Sequence, residues 1–259
     1  APFKAVGFTD LRPLKSEAGT AMDAAVAEAP QGSIVVLQLC GHDPSGLDPS
    51  AEEWLALAQT CKDRRHIVLF DAMAQGLVSG DPDADAHAVR LFETEKLHFA
   101  VAQSFDLSFG LYNERVGCLT FVAGTKDEAT AINGQLKALV RPMYSNPPVY
   151  GARIVEKILT TETLQAQLKE ELLQMVERLN QVRQLLKDEA VRQGLAGDAW
   201  AAQADRKGMY ALTGLTEAQC EALETQHHVY LLRDGRMNLG GLAANKVPLV
   251  VAAIKAVVQ

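Results

Sequence analysis

Apolar and polar positions in the first half of the chain follow two different periods. The run Ile34–Leu39 is β-branched and apolar except for Gln38, which is typical of a parallel strand buried on both faces. Similar runs predict further strands at residues 66–70, 99–103 and 118–122. Between the first two strands, apolar residues on one helical face follow a capping box at Ser50 and Glu53, which predicts a helix. This strand–helix–strand order predicts a mostly parallel α/β sheet.

A second region begins after the break Ser145-Asn146-Pro147-Pro148. Apolar residues three or four apart predict one long helix over residues 161–193, with Gly194 as its C-terminal stop. Its apolar stripe consists of Leu164, Leu168, Leu172, Met175, Leu179, Val182 and Leu186. Such a stripe fits two structures: a coiled-coil helix that binds a partner, or an interdomain helix packed against its own protein.

The pattern changes again after Gly194. Strand-like runs lie at 209–213, 228–232 and 237–239, and helical patterns at 217–225 and 247–258. We therefore predict a large domain over residues 1–160, and an interdomain helix with a small α/β domain over residues 161–259. The acidic run Gly80–Asp85 is interpreted as a turn and helix start rather than a metal-binding loop.

Composition narrows the class of protein. A chain of 259 residues with 48% apolar and 22% charged residues can bury a sizeable core. The net charge is −7 and the basic residues are scattered, so we predict no nucleic-acid surface. Four cysteines without a CxxC motif favour a reducing compartment. No apolar run approaches the roughly 20 residues that a membrane span needs, and no signal or transit segment is visible.

One segment carries a strong resemblance. Residues 102–117 read AQSFDLSFGLYNERVG, which resembles the active-site segment AQSFSKNFGLYNERVG of aspartate aminotransferases. The resemblance implies a fold-type I enzyme in which the lysine of SFSK forms the Schiff base with pyridoxal phosphate. That position is Leu107 here, and a hydrocarbon cannot attack a carbonyl as an amine does.

Two further segments match the same family with substitutions. Residues 41–49 resemble its HNPTGxDP turn, where Asp43 replaces the asparagine that binds the coenzyme's ring oxygen. Residues 70–76 resemble FDSAYQG, where Asp71 matches the aspartate that pairs with the pyridinium nitrogen and Ala74 replaces the tyrosine. Asp71 can also be a helix cap, since a carboxylate that ends a strand often accepts hydrogen bonds from the next helix.

Four more residues fall in register with the family. Ser104 and Arg115 match the residues that hold the coenzyme phosphate. Arg141 matches the family's arginine that binds the substrate's side-chain carboxylate across the dimer interface. Arg236 matches the arginine that binds the substrate's α-carboxylate. The family's N-terminal portion, with its phosphate-cradling loop and ring-stacking aromatic residue, has no counterpart in these residues.

These substitutions predict an incomplete fold-type I large domain with a mostly parallel sheet, a long interdomain helix and a small α/β C-terminal domain. Because of Leu107 we expect no enzyme activity and no resident cofactor, with pyridoxal phosphate bound at most non-covalently by Asp71, Ser104 and Arg115. We expect a structural subunit, mitochondrial or otherwise cytoplasmic, whose protein partners cover the truncated sheet. The alternatives are an aspartate aminotransferase-type enzyme completed by another chain, and a binder of dicarboxylates that uses Arg141 and Arg236.

Overall fold

A four-stranded sheet organises the first half of the chain in the computed structural model, which describes residues 2–14, 20–195, 200 and 202–258. The strands, in spatial order, are β1 (Ile34–Gln38), β2 (Ile67–Ala72), β3 (Phe99–Ser104) and β4 (Gly117–Val122). The first three are parallel, while β4 runs antiparallel to β3. The 105–116 connection contains no helix to carry the chain across the sheet, so β4 returns directly beside β3. The predicted mostly parallel sheet is confirmed.

Helices pack on one face of this sheet. The helices of this half are α1 (Pro2–Ala5), α2 (Thr20–Glu28), α3 (Ala51–Asp63), α4 (Pro82–Asp85) and α5 (His87–Thr94). The predicted capping box of α3 is present, with both reciprocal hydrogen bonds between Ser50 and Glu53. Trp54 of α3 and Phe92 of α5 pack on Phe70 of β2, and the Phe70 and Phe92 rings meet edge-on with centroids 5.0 Å apart. This aromatic cluster fixes β2, and therefore the residues at its end, against the helices.

The opposite face of the sheet is apolar and open. Ile34 and Ile67, which are paired in register, are 48% and 51% exposed. Val36, Leu119 and Phe121 on the same face are exposed as well. Parallel strands are ordinarily covered on both faces. These five residues, called the open sheet face below, therefore form an apolar surface that no part of the described chain covers.

The acidic run at 80–85 forms a turn and a helix start, as predicted. Asp81 caps α4 by accepting a hydrogen bond from the amide of Asp83. The carboxylate of Asp85 accepts hydrogen bonds from the amides of Gly76, Val78 and Ser79. Within the described ranges, no group of three or more histidine, cysteine, aspartate or glutamate residues is arranged to hold a metal ion.

Three helices connect the sheet to the C-terminal region: α6 (Lys126–Met143), α7 (Tyr150–Leu159) and α8 (Glu162–Gln193). The predicted break at 145–148 lies between α6 and α7, and the predicted long helix is α8, which ends at Gly194 in a left-handed conformation with φ 69°. From Leu172 onward, one face of α8 is buried against its own chain, which is the interdomain arrangement. Met175 of the predicted stripe is exposed, and Val176 is buried in its place. No described helix combines the length and apolarity that crossing a membrane requires.

The C-terminal region has its own core around α8. It contains β5 (Tyr210–Leu212), α9 (Glu217–His227), β6 (Arg236–Asn238) and α10 (Val247–Val258), with 3-10 turns at Ala202–Asp205, Leu239–Gly241 and Ala244–Lys246. Strands β5 and β6 pair antiparallel. The strand predicted at 228–232 is wrong: His228 caps α9 in a left-handed conformation, and Val229 donates its amide to the carbonyl of Leu223. Residues 229 and 231 instead pack as partly buried side chains on this core. The domain division at residue 160 stays a prediction.

Candidate active site

A pocket lies at the carboxyl ends of β1 and β2, closed on its far side by the start of β5. In sheets built from parallel strands, ligand sites form at this edge. The cavity itself has a volume of only about 10 Å³, and the free space reaches about 290 Å³ when the part open to solvent is included. It is lined by Gln38, Cys40, Gly41, Asp43, Asp71, Met73, Ala74, Leu107, Met209 and Tyr210.

A close crossing of two loops brings the two halves of the chain together beside this pocket. A Cβ atom on Gly208 would lie 2.9 Å from the Cα of Gly41, and the φ of Gly208 is +80°. Only glycine fits such an approach in the left-handed region. The crossing places Met209 and Tyr210 against the strand ends.

Arg183 of α8 holds the loop that carries these two residues. Its guanidinium, with the residue 1% exposed, donates to the carbonyl oxygens of Lys207 at 2.8 Å, Gly208 at 2.9 Å and Tyr210 at 2.6 Å. Burial, together with the nearby charge of Arg206, lowers the pKa of Arg183 to about 10, so it remains charged at neutral pH. Sequence reasoning missed this residue because a single arginine in an apolar helical stripe carries no motif.

Asp71 is the site residue with no partner of its own. It is the fifth residue of β2, in register with Gln38 and Ala102, and its carboxylate makes no hydrogen bond or ion pair with any described residue. The Asp71 side chain is exposed at the pocket mouth, yet partial desolvation by the surrounding protein, and then the negative charge of Asp43, raise its pKa above the usual range. The alternative that Asp71 caps a helix is wrong, because the next helix, α4, is capped by Asp81. The pocket therefore presents a carboxylate that a cationic group could satisfy.

Asp43 and Arg236 form an ion pair at the rim. Nη1 of Arg236, the first residue of β6, lies 2.7 Å from Oδ2 of Asp43. The side chain of Gln38 fixes Asp43 through two hydrogen bonds to its backbone, of 2.9 Å and 2.7 Å. The guanidinium carbon of Arg236 also lies 5.8 Å from the centre of the Tyr210 ring. The residues from both halves of the chain thus form one connected rim.

A second ion pair lies at the end of β3. Asp106 contacts Nη1 of Arg115 through its carboxylate and donates its amide to Oγ of Ser104 at 3.1 Å. Asp106 is buried, whereas the Arg115 side chain is 71% exposed and lies over Tyr112. The structure therefore brings Ser104 and Arg115 together through Asp106. Sequence reasoning missed Asp106, although it stands where the quoted family segment has serine.

Arg141 is not brought to this pocket. It lies near the end of α6, is exposed, and makes no ion pair or hydrogen bond with the described residues. Such a position leaves its side chain free for another molecule. Its predicted reach across an interface stays a prediction.

The remaining pocket wall is apolar. Leu107 and Ala74 line it, where the family's quoted segments have lysine and tyrosine, and no lysine is among the described lining residues. The Cys40 thiol is not an alternative nucleophile, because burial and the charges of Asp85 and Asp48 raise its pKa well above its usual range.

Comparisons with known proteins place the chain in a family. The sequence model of "Aminotransferase class I and II" matches residues 18–254. The chain belongs to the class I and II aminotransferases. It is 41% identical to the mitochondrial aspartate aminotransferase of Dictyostelium discoideum over 92% of this chain and 56% of that protein. It is 40% identical to the cytoplasmic aspartate aminotransferase of Caenorhabditis elegans over 89% of this chain and 56% of that protein.

The fold agrees with solved aminotransferases. The aromatic-amino-acid aminotransferase of Burkholderia pseudomallei, described as covalently bound to pyridoxal phosphate, matches with a TM-score of 0.88 and 34% identity. The match covers 95% of this chain and 62% of that one. The resemblance to aspartate aminotransferases and the fold-type I architecture are thereby confirmed. The chain spans little more than half the length of the curated relatives described above.

Two expectations drawn from Leu107 are wrong. The expectation of a protein that is not an enzyme is contradicted by relatives about 40% identical that are named as aminotransferases. The expectation of no cofactor is contradicted by the family, in which a solved relative carries pyridoxal phosphate covalently. One changed side chain, in a chain that spans only part of its relatives, does not establish the loss of activity. The roles of Asp71, Ser104, Arg115, Arg141 and Arg236 stay predictions.

Proposed function

We propose that this chain is part of a pyridoxal-phosphate-dependent aminotransferase of the aspartate type, with its site completed by additional protein. The observation that carries the proposal is the unpaired carboxylate of Asp71, which lies in the pocket at the ends of β1 and β2. The identity to enzymes named aspartate aminotransferases supports the same activity. Leu107 cannot supply an amine, so the amine that these enzymes require would come from elsewhere.

The residues present fit pyridoxal phosphate. Asp71 offers a negative charge without a cation, which suits a protonated ring nitrogen. The hydroxyl of Ser104 and the exposed guanidinium of Arg115 offer donors for a phosphate at the end of β3. When bound, the coenzyme supplies an aldehyde and an electron-withdrawing ring that stabilises charge on the substrate carbon.

The chain's own contribution would be to bind and orient the reactants. Arg236 would receive the substrate's α-carboxylate at the rim, and Arg141 a side-chain carboxylate from an exposed position on α6. Burial raises the pKa of Tyr210, so its phenol keeps the proton on Oη and can donate a hydrogen bond into the pocket. Met209 and Met73 add apolar surface to the pocket lining.

The additional protein would cover the open sheet face. A few hundred Å² of exposed apolar surface, at roughly 25 cal/mol per Å², amounts to several kcal/mol of stability. A longer polypeptide or protein subunits seated on residues such as Ile67 and Phe121 would recover this energy. We therefore propose that the chain works within a larger assembly. Mitochondria are the proposed location, supported by the name of the Dictyostelium relative, although the C. elegans relative is cytoplasmic.

The test is coenzyme binding by the purified protein together with whatever co-purifies with it. Pyridoxal phosphate is titrated against the wild type and against Asp71→Asn, with Asp63→Asn as an exposed control that keeps its hydrogen bond to Gln59. We expect Asp71→Asn to weaken binding about tenfold or more and Asp63→Asn to have no effect. Borohydride reduction followed by peptide mapping then locates the amine. No binding below millimolar concentration, or equal binding by Asp71→Asn, would overturn the proposal, as would the absence of transamination between aspartate and 2-oxoglutarate.

A further inference from the structure

The ion pair between Asp43 and Arg236 occupies the group that is proposed to bind the substrate. Oδ2 of Asp43 lies 2.7 Å from Nη1 of Arg236, with the two side chains 13% and 28% exposed. A carboxylate of the chain therefore already stands where a substrate carboxylate would meet this guanidinium. Screening by solvent is limited at this depth, so the contact is stronger than a surface ion pair.

Asp43 and Arg236 meet through one oxygen and one nitrogen only, so a ligand that pairs two of each could replace Asp43. Oδ1 of Asp43 and Nε of Arg236 are both buried without a hydrogen-bond partner among the described residues. A free carboxylate can bind a guanidinium through two parallel hydrogen bonds. An incoming ligand could therefore make a better contact than Asp43, but only by displacing it.

The position of Asp43 is built into the fold rather than left to a mobile side chain. Gln38, at the end of β1, accepts the amide hydrogen of Asp43 and donates to its carbonyl oxygen. Gln38 is itself paired in register with Asp71 of β2. These bonds fix the backbone of Asp43, and therefore the point from which its carboxylate reaches Arg236.

The charges at the rim make this position selective. Asp43, Asp71 and Arg236 together carry one net negative charge when they are ionised. An α-carboxylate that binds Arg236 must displace Asp43 next to the second carboxylate of Asp71, whereas a ligand without an α-carboxylate does not have to displace Asp43. With asparagine at position 43 these three groups would sum to zero charge, and Arg236 would keep only its longer contact with the exposed Asp234, at 3.4 Å.

We propose that Asp43 determines specificity by competing with the substrate's α-carboxylate for Arg236. This inference rests on the aminotransferase function proposed above. It predicts that Asp43 reduces the preference of the site for α-amino acids over amines that lack the α-carboxylate. L-Aspartate and β-alanine form a matched pair of probes, because β-alanine is aspartate without its α-carboxylate.

The experiment measures binding of the two probes by ligand-induced thermal stabilisation, with and without pyridoxal phosphate. We expect Asp43→Asn to raise the affinity for L-aspartate at least tenfold and to leave β-alanine unchanged. Asp234→Asn is the control, since Asp234 also lies near Arg236, at 3.4 Å, but is 55% exposed. It should change aspartate binding less than about threefold, because solvent screens it. Arg236→Ala added to Asp43→Asn should abolish the gain.

The outcomes separate this inference from the proposed function. If pyridoxal phosphate binds but Asp43→Asn gains no affinity for aspartate, the role of Asp43 is refuted and the function stands. If Asp43→Asn gains affinity through Arg236 while the coenzyme fails to bind, the function is refuted and the competition stands. An equal gain for aspartate and β-alanine would also refute the competition, since it would show an effect of overall charge.

Discussion

Replacing Arg183 by methionine should destabilise the protein and loosen the pocket together. The side chain is 1% exposed, and its guanidinium donates to three carbonyl oxygens of the 207–210 loop and to Oε1 of Gln203. Methionine fills a similar volume but donates nothing. The loop that presents Met209 and Tyr210 would then lose its attachment to α8.

The expected cost follows from these contacts. A hydrogen bond from a charged donor contributes about 1.5–3 kcal/mol, and carbonyl groups left buried without donors oppose folding further. Removing the guanidinium also removes the desolvation cost that lowers its pKa to about 10, which offsets part of the loss. We therefore expect the free energy of unfolding to fall by about 3 kcal/mol.

Urea unfolding followed by circular dichroism measures this change, and pyridoxal phosphate titration below the unfolding transition measures the effect on the pocket. Arg178→Met is the matched control: the residue lies on the same helix, is exposed, and donates to one carbonyl, that of Leu242, at 3.1 Å. It should cost about 1 kcal/mol or less. A cost for Arg183→Met below that of the control would refute the assignment of Arg183 as the anchor of the loop.

Two further predictions concern the charges at the site. Because the pKa of Asp71 is raised above the ordinary value of 3.8, its negative charge is lost at a higher pH than usual, so pyridoxal phosphate affinity should fall as pH drops through that range. Titrations at several acidic pH values test this, and Asp71→Asn should lack the difference; the same fall in the variant would contradict it. Asp106→Ser should release Arg115 and raise the affinity for the coenzyme phosphate about tenfold, measured against unphosphorylated pyridoxal. The control Asp83→Ser breaks the exposed pair with Arg90 and should change nothing, and an equal gain for pyridoxal would count against a phosphate contact.

Interactions between near neighbours in the chain were predictable. The capping box of α3 joins Ser50 to Glu53, and the stop of α8 needs only the left-handed freedom of Gly194. The strands β1 to β3 follow from short apolar runs that suit a pleated sheet, although the expected burial on both faces is wrong, since Ile34 and Ile67 lie on the open sheet face. The family resemblance rested on one nearly unbroken segment, residues 102–117, and the comparisons confirm it.

Predictions from the local sequence pattern were wrong where contacts between distant residues set the backbone conformation. Residues 228–232 have the apolar character of a strand, yet His228 ends α9 and the segment turns toward Arg236, whose carbonyl accepts the amide of Leu232. The direction of β4 depended on the absence of a helix in the 105–116 connection. Tertiary context overrides strand propensity in such segments.

The sequence alone therefore indicated most of the helices and strands, the family and the absence of an amine at Leu107. The tertiary structure alone decided which charges meet. Asp43 and Arg236 are 193 positions apart and belong to different halves of the chain, so no spacing or motif predicts their contact. An ion pair depends on distance in space, which the crossing of the Gly41 and Gly208 loops sets, and this is why the free carboxylate is Asp71 and not Asp43.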